Sequence, residues 1–530
     1  MPTFKLDGKT IPFEAGETII KAAWRQGIDI PHYCWHPGLS APANCRMCLV
    51  EIVPKPGARP PMLDVLQWDA KARTYRTEQK PKLQPSCYTP AADGMEVLGD
   101  TSEHVRKARH DVQEFLLLNH PVDCPICDQS GECKLQDYWL DHGRYGKRMR
   151  DEPVHKPKAV VFGPTIVYDG ERCVMCTRCV RFMAEVAKDP VLDMRERGNL
   201  NEIIVAPGRQ LDGHYTFMTE HVCPVGALTT KDFRFKARVW FLRTVPAVCQ
   251  GCATGCNAHL DYDPRYNKAH RYRPRDNEKV NQFWMCDEGM LSYKAAHDGR
   301  VLDARIGGTA VSTAKAIDQV KKLFAGVPKE SIALVFSAAH SLEDNYALQE
   351  VGAVLFGSSL AYKSGMPDGY EDDVLIHRDK NPNTMGVAQL VPEAKTFQAL
   401  LDDVAAGRVT HALALGGAAP VAADALRSCQ LVTIAAHDGP LVVAASVVLP
   451  ATSWAEHSGT YVNAKGIRQV SERALEPQGA SKPAWRQLAD LATALGYKAP
   501  STKLKQIRMQ LMGSAPAAEA GQGARAAPAE

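Results

Sequence analysis

Fifteen of the sixteen cysteines in this 530-residue sequence lie between Cys34 and Cys286, in four short-spaced groups, and only Cys429 stands apart. A chain that must gather thiols at four places has much of its fold dictated by loops that converge. Disulfide frameworks belong to small secreted domains, whereas thiols two or three residues apart in a long chain read as metal ligands in a reducing compartment. Cys429 sits in an apolar neighbourhood and reads as a small buried hydrophobe.

The first group is Cys34, Cys45, Cys48 and Cys87. Two thiolates on one tight loop with one on either side suit the two irons of a [2Fe-2S] centre. A four-cysteine zinc site would pair two CxxC knuckles, and only one is present. Arg46 and Met47, between the close cysteines, are expected to supply backbone amides. The second group, HPVDCPICDQSGEC, offers His120, Cys124, Cys127 and Cys133. On spacing alone it fits a structural zinc about as well as a [4Fe-4S] centre, and His104 and His110 compete with His120 as the fourth ligand.

The third group has Cys173, Cys176 and Cys179 at two-residue gaps, then Cys223-Pro224. Three thiolates in seven residues wrap three corners of a cubane, and a remote Cys-Pro closes the fourth. Cys249, Cys252, Cys256 and the distant Cys286 form the fourth group and again suit [4Fe-4S] better than zinc. All fifteen early cysteines and one histidine are then used. One [2Fe-2S] and three [4Fe-4S] centres in one chain point to electron transfer, because each moves one electron and a series is useful only across distance.

Length and 45% apolar content suggest several domains. A net charge of +3 is too small for a nucleic-acid binder. No run of eighteen apolar residues occurs and the start lacks an apolar signal region, so neither a membrane span nor an export signal is expected. Periodicity predicts strands at Thr3 to Leu6 and Thr10 to Phe13 joined at Asp7-Gly8, a helix from Glu17 to Gln26, and a helix from Thr101 to Asn119 leading into the second group. Beyond Arg300 the pattern alternates: helix Ser312 to Phe324, strand Ile332 to Phe336, helix Leu342 to Leu355, strand His411 to Leu415. This predicts an α/β half with a largely parallel sheet. Residues 501–530 are expected to be a disordered tail. No glycine-rich dinucleotide fingerprint is present, Gly416-Gly417 lacking the spacing.

The segments HYCWHPGLSAPANCRMCLVEI, NHPVDCPICDQSGECKLQD and ERCVMCTRCVRF with EHVCPVGAL, in this order, resemble the large iron-sulfur (G) subunits of NADH:quinone oxidoreductase, respiratory complex I. The resemblance implies a multidomain α+β then α/β chain: a β-grasp [2Fe-2S] ferredoxin-like domain at 1–95, a one-His, three-Cys [4Fe-4S] segment at 96–140, a ferredoxin-like [4Fe-4S] domain at 141–240, and at 241–500 a [4Fe-4S] motif with a shortened molybdopterin-oxidoreductase-like domain, signalled by SVVLPATSWAEHSGTYVNAKGIRQ. It implies that His120 is a ligand. It also implies an oxidoreductase subunit relaying electrons from a flavin- and NADH-binding neighbour toward quinone, coupled to proton translocation by the whole complex, with no NADH or quinone site on this chain. Such a chain would sit peripherally on the cytoplasmic side of the bacterial inner membrane and meet the membrane only through the complex.

In that family the fourth centre lies off the main relay. The alternative is the electron-input subunit of a soluble NAD-linked formate dehydrogenase or hydrogenase, which shares the first 240 or so residues. Against it, no cysteine lies between Cys286 and Cys429, and NYALQEVGAVLFGSSLAYKSG offers no cysteine for molybdenum. No molybdenum is expected.

Overall fold

Phe4 and Leu6 alternate with more exposed residues along the strand Thr3–Leu6, so one face of it must be covered. It pairs antiparallel with Lys9–Pro12 and parallel with Glu96–Leu98, which pairs with Leu49–Val53. The helix Ile19–Arg25 buries Ile19, Ile20, Ala22 and Ala23 against this sheet, in a core with Phe4, Ile11, Val50 and Val97. This is a β-grasp arrangement. The computed structural model describes residues 1–513 apart from 56, 58, 60, 147, 358–359 and 499–500. Contacts divide the chain into a unit spanning Met1–Val239 and a second unit that begins at Trp240.

Within the first unit, the antiparallel ribbon Met62–Asp69 with Thr74–Pro81 has no counterpart in the sequence expectations. It explains the long gap between Cys48 and Cys87. The chain leaves on one strand and returns on the other, and Ser86 N–H donates to Cys48 O at 3.0 Å, which sets Cys87 beside Cys48. The helix Glu103–Leu117, capped by Ser102, delivers the chain to residues 120–133. A three-stranded sheet, Leu228–Thr230, Ile166–Tyr168 and Val160–Val161, carries the third group with the helices Arg178–Glu185 and Phe217–His221.

The second unit opens with an antiparallel meander, Arg243–Val248, Asn257–Asp263 and Lys268–Pro274. Next comes a sheet whose five parallel strands run, in spatial order, Leu360–Ser364, Ile332–Ser337, His411–Leu415, Gln430–Ala435 and Val447–Pro450. Ala304–Ile306 joins its edge antiparallel. The second, first, third, fourth and fifth strands in chain order thus lie side by side, a doubly wound topology. Ile332–Ser337 and Val447–Pro450 are buried along their whole length and read as continuous runs, IALVFS and VVLP.

The tail expectation needs correcting. Leu504–Gly513 is a helix, and Ile507 and Leu511 pack with Leu342 and Val462 while Arg508 Nε meets Glu343 Oε1 at 2.7 Å. Two apolar contacts and one ion pair suffice to dock a short helix whose composition alone gave little signal. The remainder of the expected tail, 514–530, lies outside the described residues.

The helix Leu342–Leu355 starts on buried acid groups: Ser341 Oγ accepts from Asp344 N–H at 3.1 Å, and Asp344 Oδ2 lies 3.5 Å from His457 Nε2. Burial opposes both charges, but their attraction outweighs it, holding Asp344 down at about 2 and His457 above its ordinary 6.5. A raised histidine stabilises the fold fully below 6.5 and loses that contribution as pH rises through its folded value. His340 nearby is pushed down to about 4 by burial and acts in the opposite sense between 4 and 6.5, so the difference from a variant is the measurement to make. His457→Gln should cost most stability near pH 5 to 6, with the deficit narrowing as pH rises. Thermal melts of both proteins across that range check it, and a pH-independent deficit would contradict it.

Candidate iron-sulfur sites

In the Cys34 group the thiols approach one another directly. Cys45 and Cys87 lie close enough to Cys34, and Cys87 to Cys48, to draw Cys34 and Cys48 below the usual thiol range while Cys45 and Cys87 are pushed above it. The amides facing the Cys34 sulfur are those of Asn44 and Cys45, just before the expected Arg46 and Met47. Arg46 has φ 61°, the left-handed turn that lets a CxxC loop curl its two sulfurs toward one point.

Cys173, Cys176, Cys179 and Cys223 line one small cavity, together with Tyr168, Ile203 and Leu228. Met175 and Thr177 are left-handed at φ 51° and 60°, and Met175 N–H donates to Cys173 Sγ at 3.4 Å. Burial pushes Cys173 and Cys176 up to about 11 and Cys223 to about 12, and Cys179 rises as well. Four such thiols cannot all ionise in so dry a place without cationic charge among them.

In the second group, the Cys133 thiol is raised to about 11 by burial, with Cys127 near enough to add to the rise, and Cys124 acts likewise on Cys127. His120 is half-buried at the mouth of the loop, its Nδ1 accepting from Val122 N–H at 3.2 Å, and burial lowers it to about 4, so the ring is neutral at pH 7. Among the described residues, the one hydrogen bond to the His120 ring is that from Val122, not from the three thiols. His110 Nδ1 is occupied by His142 O at 2.6 Å, which removes that competitor at this nitrogen.

The Cys249 group forms the hairpin loop between the first two strands of the meander, and Cys249 N–H donates to Cys256 O at 2.8 Å. Cys286 caps the helix Asp287–Leu291 and accepts from Gly289 N–H at 3.3 Å. A Cβ on Gly289 would lie 3.1 Å from Cys249 Sγ and 3.2 Å from Cys286 Sγ, so this glycine sits between two thiols of the group. Burial raises Cys249 to about 12 and raises Cys256 and Cys286 too. Among the described residues, no three His, Cys, Asp or Glu side chains close on a single-ion point.

Sequence reasoning missed the residues that join these loops. Arg172, next to Cys173, makes a two-pronged contact with Asp123, next to Cys124: Nε to Oδ1 at 3.0 Å and Nη2 to Oδ2 at 2.6 Å. Arg181 donates to Cys34 O at 2.5 Å and to Cys176 O at 3.2 Å. Gly226 lies against Cys127, so close that a Cβ there would stand 2.4 Å from its Sγ. Each flanks a cysteine motif, which was the only signal available.

The sequence matches five family descriptions in chain order. Residues 1–102 match a 2Fe-2S iron-sulfur cluster binding domain, and 109–148 the NADH-ubiquinone oxidoreductase-G iron-sulfur binding region. Residues 163–229 match the ferredoxin-like domain of NADH-quinone oxidoreductase subunit 3. Residues 242–298 match the molybdopterin oxidoreductase Fe4S4 domain, and 411–494 molybdopterin oxidoreductase. The G subunit of the Rickettsia felis NADH-quinone oxidoreductase is 27% identical, covering 96% of this chain and 90% of that protein. Its Mycobacterium bovis counterpart is 37% identical over 56% of this chain and 34% of its own length. The chain is similar to the G subunits of NADH-quinone oxidoreductases.

Subunit 3 of the Thermus thermophilus NADH-quinone oxidoreductase is 35% identical over 57% of this chain and 39% of its own length. The chain spans about a third of the length of the curated relatives first matched. A chain from an NAD+-reducing [NiFe]-hydrogenase crystal structure, 29% identical over 45% of this chain and 91% of its own, superposes with a TM-score of only 0.36, too loose to bear on fold or function. By these matches the chain carries iron-sulfur domains of both the 2Fe-2S and 4Fe-4S types, followed by a molybdopterin-oxidoreductase domain. Among the described residues, no helix is long and apolar enough to cross a membrane.

Proposed function

We propose that this chain is an electron conduit of an NADH-quinone oxidoreductase, taking electrons from a flavin-bearing, NADH-oxidising neighbour and passing them toward quinone. Cys34, Cys45, Cys48 and Cys87 hold a [2Fe-2S] cluster; His120, Cys124, Cys127 and Cys133 a [4Fe-4S] cluster; Cys173, Cys176, Cys179 and Cys223 a second; and Cys249, Cys252, Cys256 and Cys286 a third. When bound, each cluster accepts and releases one electron. What the residues do is bury the thiolates, aim amides at the sulfurs and keep the loops in contact. Molybdenum plays no part. The chain works on the cytoplasmic face of the bacterial inner membrane, attached through other peripheral subunits.

The observation that carries this reading is contiguity within the first unit. Arg181 spans the Cys34 and Cys173 loops, and the segment running from Cys223 to Gly226 abuts Cys127. Three redox sites that touch through short covalent and hydrogen-bonded links make a relay; three zinc staples would have no use for the contiguity.

Anaerobically purified full-length chain should contain about fourteen irons, with matching acid-labile sulfide and no molybdenum. Elemental analysis with sulfide determination checks this. Zinc without sulfide would overturn the reading, and stoichiometric molybdenum would replace it with a dehydrogenase subunit.

A further inference from the structure

Arg178 lies on the first turn of the helix Arg178–Glu185, beside Cys179, and is 8% exposed. Its guanidinium reaches two distant backbone oxygens: Nη2 donates to Trp35 O at 2.5 Å and Nη1 to Val222 O at 3.3 Å. Trp35 follows Cys34 and Val222 precedes Cys223, so one side chain ties the first thiol group to the third. Its Nε has no protein acceptor, and among the described residues no carboxylate forms an ion pair with it. Other buried arginines of this unit are paired, Arg172 with Asp123 and Asp169, and Arg109 with Asp100.

A guanidinium cannot lose its proton, and burying one without an anion costs several kcal/mol. The negative charge it needs must come from elsewhere. The thiol groups on either side are the only acidic chemistry to which its hydrogen bonds lead, and its charge is felt at Cys176. A cluster held by four thiolates carries net negative charge that grows by one on reduction, so a fixed cation nearby favours the reduced form.

We propose that Arg178 is a positioning residue that serves as the shared counter-cation of the Cys34 and Cys173 groups, raising both reduction potentials together and docking the two loops for electron passage between them. This rests on the cluster assignment made above. With clusters bound, the step it would serve is the passage of one electron from the Cys34 group to the Cys173 group, in which no bond forms or breaks and no proton moves. Because Arg178 bonds the backbone beside a cysteine of each group, its charge would act on donor and acceptor alike and keep the step close to level.

The test is a redox titration followed by low-temperature electron paramagnetic resonance on full-length chain purified anaerobically, with iron content recorded alongside. In Arg178→Gln, the reduction equilibria of the Cys34 and Cys173 groups should each fall about tenfold, or 59 mV for one electron. The Cys249 group should stay within threefold of wild type. Arg178→Lys keeps the charge and should restore both midpoints while loosening the loops. Unshifted midpoints in Arg178→Gln, equal shifts in all groups, or a lysine variant as low as the glutamine one would each overturn the proposal, the cluster assignment still standing. Absence of the two signals from wild-type chain would instead sink the assignment. Should Arg178→Gln fail to fold, Arg181→Gln takes its place, because Arg181, half-buried, donates to the adjacent Cys34 O and to Cys176 O and so also bridges the two loops. Its expected shift is smaller but in the same direction at both groups, and no shift there counts against the proposal.

Discussion

Gly226→Ala strips the iron from the Cys124, Cys127 and Cys133 site and leaves the other sites loaded: that is the expected result, and it follows from one distance. A Cβ at position 226 would stand 2.4 Å from Cys127 Sγ and 3.0 Å from Gln129 Cβ, closer than such atoms approach. Neither side can retreat. Pro224 O accepts from Lys134 N–H at 3.0 Å, tying the glycine's segment to the far end of the loop it presses on. Arg238 holds the Cys127 loop from another direction, Nη1 to Cys127 O at 2.5 Å and Nη2 to Pro125 O at 2.6 Å. Val225 and Ala227, on either side, are buried at 1% exposure. Overpacking of this kind costs about 1–3 kcal/mol in stability. The effect on the site is larger, because a displaced sulfur can no longer ligate. About four irons per chain should be lost, with matching sulfide. Gly213→Ala, where the nearest atom is 3.6 Å away, is the control and should keep its full complement. Full iron content in Gly226→Ala would mean that Cys127 is not a ligand.

That contact is not legible in the sequence, and the reason is physical. Thiols two residues apart are bound to be neighbours in any turn, so CxxC and CxxCxxC announce their groups whatever the rest of the chain does. The same holds for the strand Thr3–Leu6 and the helix Leu342–Leu355, whose periodicity is local and whose observed limits match the expected ones. The ribbon Met62–Asp69 with Thr74–Pro81 escaped notice because both its faces are largely exposed and neither shows a clean apolar alternation. Gly226 and Arg178 escaped for another reason. Their partners are remote in sequence, 143 residues in the case of Arg178 and Trp35, and nothing in the composition of either segment encodes the encounter.

Breaking the ion pair between Arg300 and Glu456 should destabilise the second unit by about 3–5 kcal/mol. The side chains are 2% and 0% exposed, and they meet in parallel, Nη1 to Oε1 at 3.0 Å and Nη2 to Oε2 at 2.7 Å. The guanidinium also donates to Ala296 O at 2.9 Å and to Ala436 O at 3.1 Å. It therefore pins the turn Ser292–Ala296, which follows the helix capped by Cys286, to the end of the strand Gln430–Ala435. Arg300→Met removes the cation and leaves the Glu456 carboxylate buried, supported only by the amides of Ser453 at 2.8 Å and Gln478 at 3.1 Å. An unpaired buried anion, more than lost packing, accounts for the size of the loss. The double variant Arg300→Met, Glu456→Leu should recover most of it, since replacing both charges removes the stranded anion. Hydrogen exchange at the Ala451 amide, bonded to Ala435 O at 2.9 Å, reads the stability of this unit alone. Because the pinned turn adjoins Cys286, the single variant should also release iron from the Cys249 group at lower denaturant than wild type. If the single variant exchanges within about 1 kcal/mol of wild type, well short of the ~3–5 kcal/mol expected of a broken buried pair, the loop carrying Cys286 is held by its apolar packing and not by this charge.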